Sequence, residues 1–113
     1  MAIRYKNQGY DLTTTNLTTV LNINTSSVAI IKEISVANDH NAAVQVDYFF
    51  HDISASTSYK FYHTNATSNS HDNAVHNALV LEEGDYLEFQ SNNAGKISGQ
   101  ISFALLTRTG ENG

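Results

Sequence analysis

The chain has 113 residues, enough for one hydrophobic core and too few for two, and 41% of them are hydrophobic. A formal charge of -5, with only six Lys and Arg scattered between Arg4 and Arg108, argues against binding to nucleic-acid backbones. The absence of cysteine removes disulfides, thiolate chemistry and Cys-ligated metals, and no apolar run approaches the roughly 20 residues needed to cross a bilayer.

The first segment, Tyr5 to Leu12, reads as an N-terminal arm or edge strand broken by Gly9. No secretory leader is expected, because the positive charge of Arg4 and Lys6 has no apolar run behind it. Thr13 to Asn16 is turn material. Leu17 to Ile23 reads as a strand with Thr19, Leu21 and Ile23 on one face. Asn24 to Ser27 turns the chain.

Val28 to Ala37 has the highest β-branched content. Its alternation fails at Lys32, which falls in register with Ile30 and Ile34. Either a bulge near Ile31-Lys32 resets the faces, or Lys32 reaches out from an edge with its stem on apolar surface. Asn38-Asp39-His40-Asn41 is turn sequence and predicts an antiparallel hairpin to the next strand, Ala43 to Phe50, where Val44, Val46, Tyr48 and Phe50 share a face.

A polar loop, His51 to Thr57, leads to a strand over Tyr59 to His63. Asn65 to Asp72 reads as loop, and a further strand is predicted over Ala74 to Leu81. Glu82 to Asp85 turns into Tyr86 to Gln90, with Leu87 and Phe89 on one face. Ser91 to Gly95 has the composition of a hairpin loop. The last strand runs to Leu106, and 107–113 is expected to fray.

About eight short strands at intervals of roughly 10 to 13 residues predict an all-β fold, a single antiparallel β-sandwich over residues 1–113. Jelly-roll-like and immunoglobulin-like connections both fit. Asn, Ser and Thr supply 35 residues, which suits hydrogen-bonded turns and a polar surface.

No catalytic constellation stands out, so the chain reads as a non-enzyme with no cofactor. The histidine groupings that merit testing as metal ligands are His71, His76 and Asp72, or His51, Asp52 and His63. None has the spacing of a recognised zinc motif. Glu82, Glu83 and Asp85 are the oxygen donors available for calcium. Neither set is expected to hold a metal. A sugar would find its partners at Asp39, His40 and Asn41, or at Asp52 with the 65–72 loop, without any tryptophan for ring stacking.

Large apolar groups occupy successive positions at Tyr48-Phe49-Phe50, Phe61-Tyr62, Val80-Leu81 and Leu105-Leu106. One face of a two-layer sandwich strand is buried, so the other member of each pair is free to meet a partner. Phe49, Tyr62 and Leu106 are the candidate protein-interface residues on this basis.

The chain resembles small virion structural proteins of tailed phages, particularly those of marine bacteria and cyanobacteria. The residues that carry the resemblance are Tyr5-Lys6-Asn7-Gln8-Gly9 with Asp11-Leu12-Thr13-Thr14-Thr15, the run from Ala29 to Asn38, and Leu79-Val80-Leu81-Glu82-Glu83-Gly84-Asp85. Where relatives often place a proline before the third strand, this chain has Thr25-Ser26-Ser27. The resemblance implies a β-sandwich present in multiple copies on a virion and contacting other virion proteins. It implies the tail or fibre region first, with capsid decoration as the alternative; host-glycan binding through the loop residues above is a separate alternative. It carries over no catalytic or metal-binding residue, and implies neither nucleic acid nor membrane as a partner.

Overall fold

The computed structural model describes residues 2–67, 71–73 and 78–108. Its strands are β1 (Ala2–Leu12), β2 (Thr18–Asn22), β3 (Ser27–Asn38), β4 (Val44–Asp52), β5 (Thr57–Ala66), β6 (His71–Asn73), β7 (Leu79–Leu81), β8 (Tyr86–Ser91) and β9 (Ile97–Thr107). They form two antiparallel sheets. In the first, β1, β9 and β3 lie side by side, and β6 and β7 both pair with the far edge of β3. The second has the order β2-β8-β4-β5.

The pairings are nested: β1 with β9, β2 with β8, β3 with β6 and β7, and β4 with β5. A single long hairpin rolled up on itself gives this arrangement, the double-sheet jelly roll. The all-β sandwich expected from strand spacing is therefore present, and the nesting selects between the two topologies left open by the sequence.

Nesting also overturns two local expectations. Asn38–Asn41 does not close a hairpin, because β3 and β4 lie in opposite sheets. The turn chemistry is present but is used to cross the core. Asn38 is buried, and its amide donates to the carbonyls of Ala42 and Ala66, each at 3.0 Å, while its oxygen accepts from the N–H of His40 at 2.8 Å. Ala66 belongs to the second sheet, so Asn38 ties the two layers together at this end. The 91–95 turn likewise joins β8 to β9 across the sandwich. Among the described residues, β4 and β5 are the one consecutive pair that are also sheet neighbours.

Among the described residues, three bulges reset the faces. In β3 the register shifts between Ile31 and Glu33, leaving Lys32 as the extra residue; Ala29 and Ile31 point inward before it, and Ile34 and Val36 after it. This is the bulge reading of the two that the sequence allowed. In β2 the shift between Thr19 and Leu21 buries both Val20 and Leu21, where simple alternation expects one. In β5, Tyr62 opposes Tyr48 and Lys60 opposes Phe49, so Phe61 is the extra residue.

Gly9 does not interrupt β1, which pairs with β9 along its whole length as an edge strand. β6 falls in the segment read as loop; its sequence His71-Asp72-Asn73 carries no hydrophobic signal, and pairing with β3 alone makes it a strand. Of the strand expected over 74–81, Leu79–Leu81 is observed, and 74–77 lie outside the described residues. Thr107 pairs with both Ala2 and Ser27, and Arg108 donates its N–H to the Ser26 carbonyl at 2.9 Å, so the chain is held further than the expected fraying point. Residues 109–113 lie outside the description.

The core is closed by an aromatic chain crossing both layers. Tyr10 meets Phe89 edge-on at 5.1 Å, Phe89 meets Tyr48 at 4.7 Å, and Tyr48 meets Tyr62 at 5.5 Å. Tyr10 also reaches over Gly99 to donate its hydroxyl to the Ser35 carbonyl at 2.6 Å. Burial pushes that phenol well above the ordinary tyrosine range, so it stays a neutral donor.

Candidate interaction surfaces

The sandwich presents two outer faces of opposite character. On the second sheet, cross-strand rows run Tyr86–His51–Ser58, Glu88–Phe49–Lys60 and Gln90–Asp47–His63. The alternation of β4 puts Val44, Val46 and Tyr48 inside and these residues outside. The face is polar and its side chains engage one another. His63 Nδ1 lies 2.5 Å from Asp47 Oδ1, and the Lys60 ammonium lies 3.4 Å from the same oxygen. Burial works to raise the Asp47 pKa, but His63 and Lys60 together outweigh it and hold the carboxyl below its usual value.

Lys60 also lies 5.6 Å from the centre of the Phe49 ring, a cation–π contact. His51 stacks on Tyr86 at 4.5 Å with the rings 13° apart. The Ser58 hydroxyl donates to Glu88 at 3.0 Å, which leaves its oxygen to accept from His51 Nδ1 at 2.9 Å and assigns the proton of that ring to Nδ1.

The outer face of the first sheet is apolar at one end. One row is Ile3–Leu106–Val28 and the next is Tyr5–Ala104–Ile30–Val80, taken across β1, β9, β3 and β7. Tyr5 is 83% exposed, Ile3 59% and Val80 54%. The following row, Asn7–Ser102–Glu33, is polar and ends the patch.

The three expected interface residues thus occupy three different places. Leu106 lies in the apolar face of the first sheet. Phe49 lies on the outer face of the second, half-buried beside Lys60. Tyr62 points inward against Tyr48, because the Phe61 bulge turns both aromatics toward the core. The exposed members Ile3, Tyr5 and Val80 were missed as a group. Only the pairing of β1 with β9 and of β3 with β7 brings them together, and both pairings are remote in sequence.

The expected ligand sets fare differently. His51 and His63 share a face but sit two rows apart, about 13 Å along the strand, with Asp52 beyond His51. They do not converge. The side chains of His71, Asp72 and His76 lie outside the described residues.

Among the described residues, the acidic group that does converge is Asp52, Glu82 and Asp85, with carboxylate oxygens within 4.8 Å of one another. Glu83 is turned away and pairs with Arg108 at 2.9 Å. Asp85 is buried, and its two oxygens accept from the N–H groups of Ile53 at 3.0 Å and Glu82 at 2.9 Å. Asp52 accepts from the Ser54 hydroxyl at 2.7 Å, the main influence lowering its pKa. Of the three, Asp85 ties the β4–β5 loop to the β7–β8 turn. The sugar candidates separate as well, since Asp52 and Asn65 stand at opposite ends of the β4–β5 ladder.

No protein-family model matches the chain, and no curated protein does either. Similarity to solved structures is confined to the fold. A chain from the acidic stable capsid of Helicobacter pylori bacteriophage KHP30 superposes with a TM-score of 0.58 at 9% identity, over 93% of this chain and 87% of that one. A chain of infectious bursal disease virus, Gx strain, gives 0.54 at 12% identity, over 93% of this chain and 33% of the longer viral one. A chain of the disulfide-linked pili of Bacillus endospore appendages gives 0.51 at 8% identity, covering 92% and 84%. The fold is thus shared with components of viral particles and of a pilus.

Proposed function

We propose that the chain is a non-enzymatic structural subunit of a virus particle, present in many copies through protein–protein contacts, and that it belongs to the capsid rather than to the tail or fibre region. The observation carrying this reading is the likeness to the KHP30 capsid chain, which runs nearly end to end in both proteins. The likeness to the infectious bursal disease virus chain supports it further. A sandwich with an apolar outer face agrees with a part that packs against neighbours.

Particles purified by density gradient from cultures that produce the chain provide the test. Peptide mapping is expected to find it in intact virions, and imaging to place it on the head. Absence from virions overturns the reading, and a position on the tail alone overturns the capsid assignment.

A second reading, recognition of a host glycan, is favoured by one feature of the second sheet. Thr15, Gln45, Asp47, Gln90, Ser91 and Asn92 line an open polar recess on that side. Amide and carboxylate groups of this kind suit sugar hydroxyls. A glycan panel showing no binding at millimolar concentration would remove it.

A further inference from the structure

We propose that the apolar outer face of the first sheet is a self-docking surface, covered in solution by the same face of a second copy of this chain in a closed two-fold pair. Its rows, Ile3–Leu106–Val28 and Tyr5–Ala104–Ile30–Val80, lie side by side on four strands and form one continuous patch. The exposures of Ile3, Tyr5 and Val80, with the half-buried Val28, Ile30 and Leu106, amount to on the order of 400 to 500 Å² of apolar surface. That is at the upper end of what a monomer ordinarily leaves in contact with water, and more than half of the roughly 800 Å² per partner in a standard interface.

The surface favours its own copy over a different patch of the chain. Of the other exposed large apolar residues among those described, Leu17 and Ile53 lie on separate loops, and Tyr59 is in ring contact with Phe50 at 5.4 Å on the second sheet. The rest of that sheet's outer face is laced with ion pairs and hydrogen bonds. With the larger apolar face as the docking surface, association is isologous and stops at two. The margins raise no charge conflict. Lys32 and Glu33 lie at one end, and Glu83 and Arg108 at the other, so antiparallel docking sets one charge of each sign against the other pair.

The inference goes beyond particle membership and is tested separately from it, on the isolated chain. Sedimentation equilibrium at about 10 µM and physiological salt is expected to give twice the monomer mass. The triple variant Ile3→Thr, Tyr5→Thr, Val80→Thr keeps β-forming residues at exposed sites and is expected to weaken dimerisation at least about 100-fold, giving a monomer. Tyr5→Ser alone, at the most exposed of these positions, provides the same comparison if the triple variant fails to fold. Phe49→Thr, on the opposite face, is expected to leave the mass at that of the dimer.

A monomeric parent at 100 µM overturns the proposal. So does a dimer that survives the triple variant or Tyr5→Ser, or a ladder of larger species. A chain found in virions but monomeric in isolation refutes the pair and leaves the particle role standing, while a dimer absent from virions does the reverse.

Discussion

Gly99 leaves no room for a side chain. A Cβ there would stand 2.0 Å from the Ser35 carbonyl oxygen and 2.8 Å from the Tyr10 hydroxyl, the two atoms that share the hydrogen bond across β9. Backbone cannot yield as a flexible side chain does. Gly99→Ala is therefore expected to cost more than about 4 kcal/mol and to give little folded protein, measured by chemical denaturation or soluble yield. Gly9, whose added Cβ would come no nearer than 3.9 Å to the Gly99 carbonyl, is expected to accept Ala without such a loss. At Asp47 the effect is electrostatic. Its folded pKa is depressed, so its stabilising contribution is present above the unfolded carboxylate value of about 3.9 and is lost as pH falls through the lower folded value. The stability gap between the parent and Asp47→Asn should close below about pH 4, from a value above that pH of under about 1 kcal/mol because the pair is well solvated. A gap that persists at about pH 2 would contradict this assignment.

At the scale of elements, the bulge at Lys32 lets both halves of β3 face inward, because it absorbs the three-residue step from Ile31 to Ile34. Deleting Lys32 would leave Ala29, Ile31, Ile34 and Val36 at two-residue spacing on one face, so the deletion variant is expected to fold with a regular ladder in place of the bulge. Lys32→Thr, which keeps the count at an exposed position, should change stability by less than about 0.5 kcal/mol, as thermal unfolding would show.

The strands themselves were legible because alternation is a local signal. Val44, Val46 and Tyr48 in β4, and Leu87 and Phe89 in β8, point inward as their spacing says. Partnership was not legible. Asn38–Asn41 and 91–95 satisfy backbone groups equally well within a sheet or between sheets, so turn residues cannot say which strands become neighbours. The bulge at Phe61 reversed the reading of Tyr62 for a related reason: an extra residue is defined by the strand opposite, and nothing in Tyr59-Lys60-Phe61-Tyr62 marks it. The apolar face suffered most. Its members are drawn from β1, β3, β7 and β9, and no stretch of sequence contains it.

For the whole molecule, nesting means that the first strand finds its partner in the last. Ladders that join distant segments are slow to form, because a long loop must close before the contact contributes. Refolding is expected in milliseconds to seconds. The chain contains no proline, so the tens-of-seconds phase caused by prolyl isomerisation should be absent. Stopped-flow refolding after brief and after prolonged denaturation should give the same trace, and a slow phase that grows with denaturation time would disprove this.

The same nesting has a mechanical consequence. β1 and β9 are antiparallel neighbours whose outermost partners are Ala2 and Thr107, so both ends of the described chain emerge side by side at one corner. Tension applied between those ends meets the ladder one rung at a time and peels β1 away like a zip, whereas a load spread over a sheet face strains many bonds together. A sandwich connected in this way bears load well through its faces and poorly through its two ends.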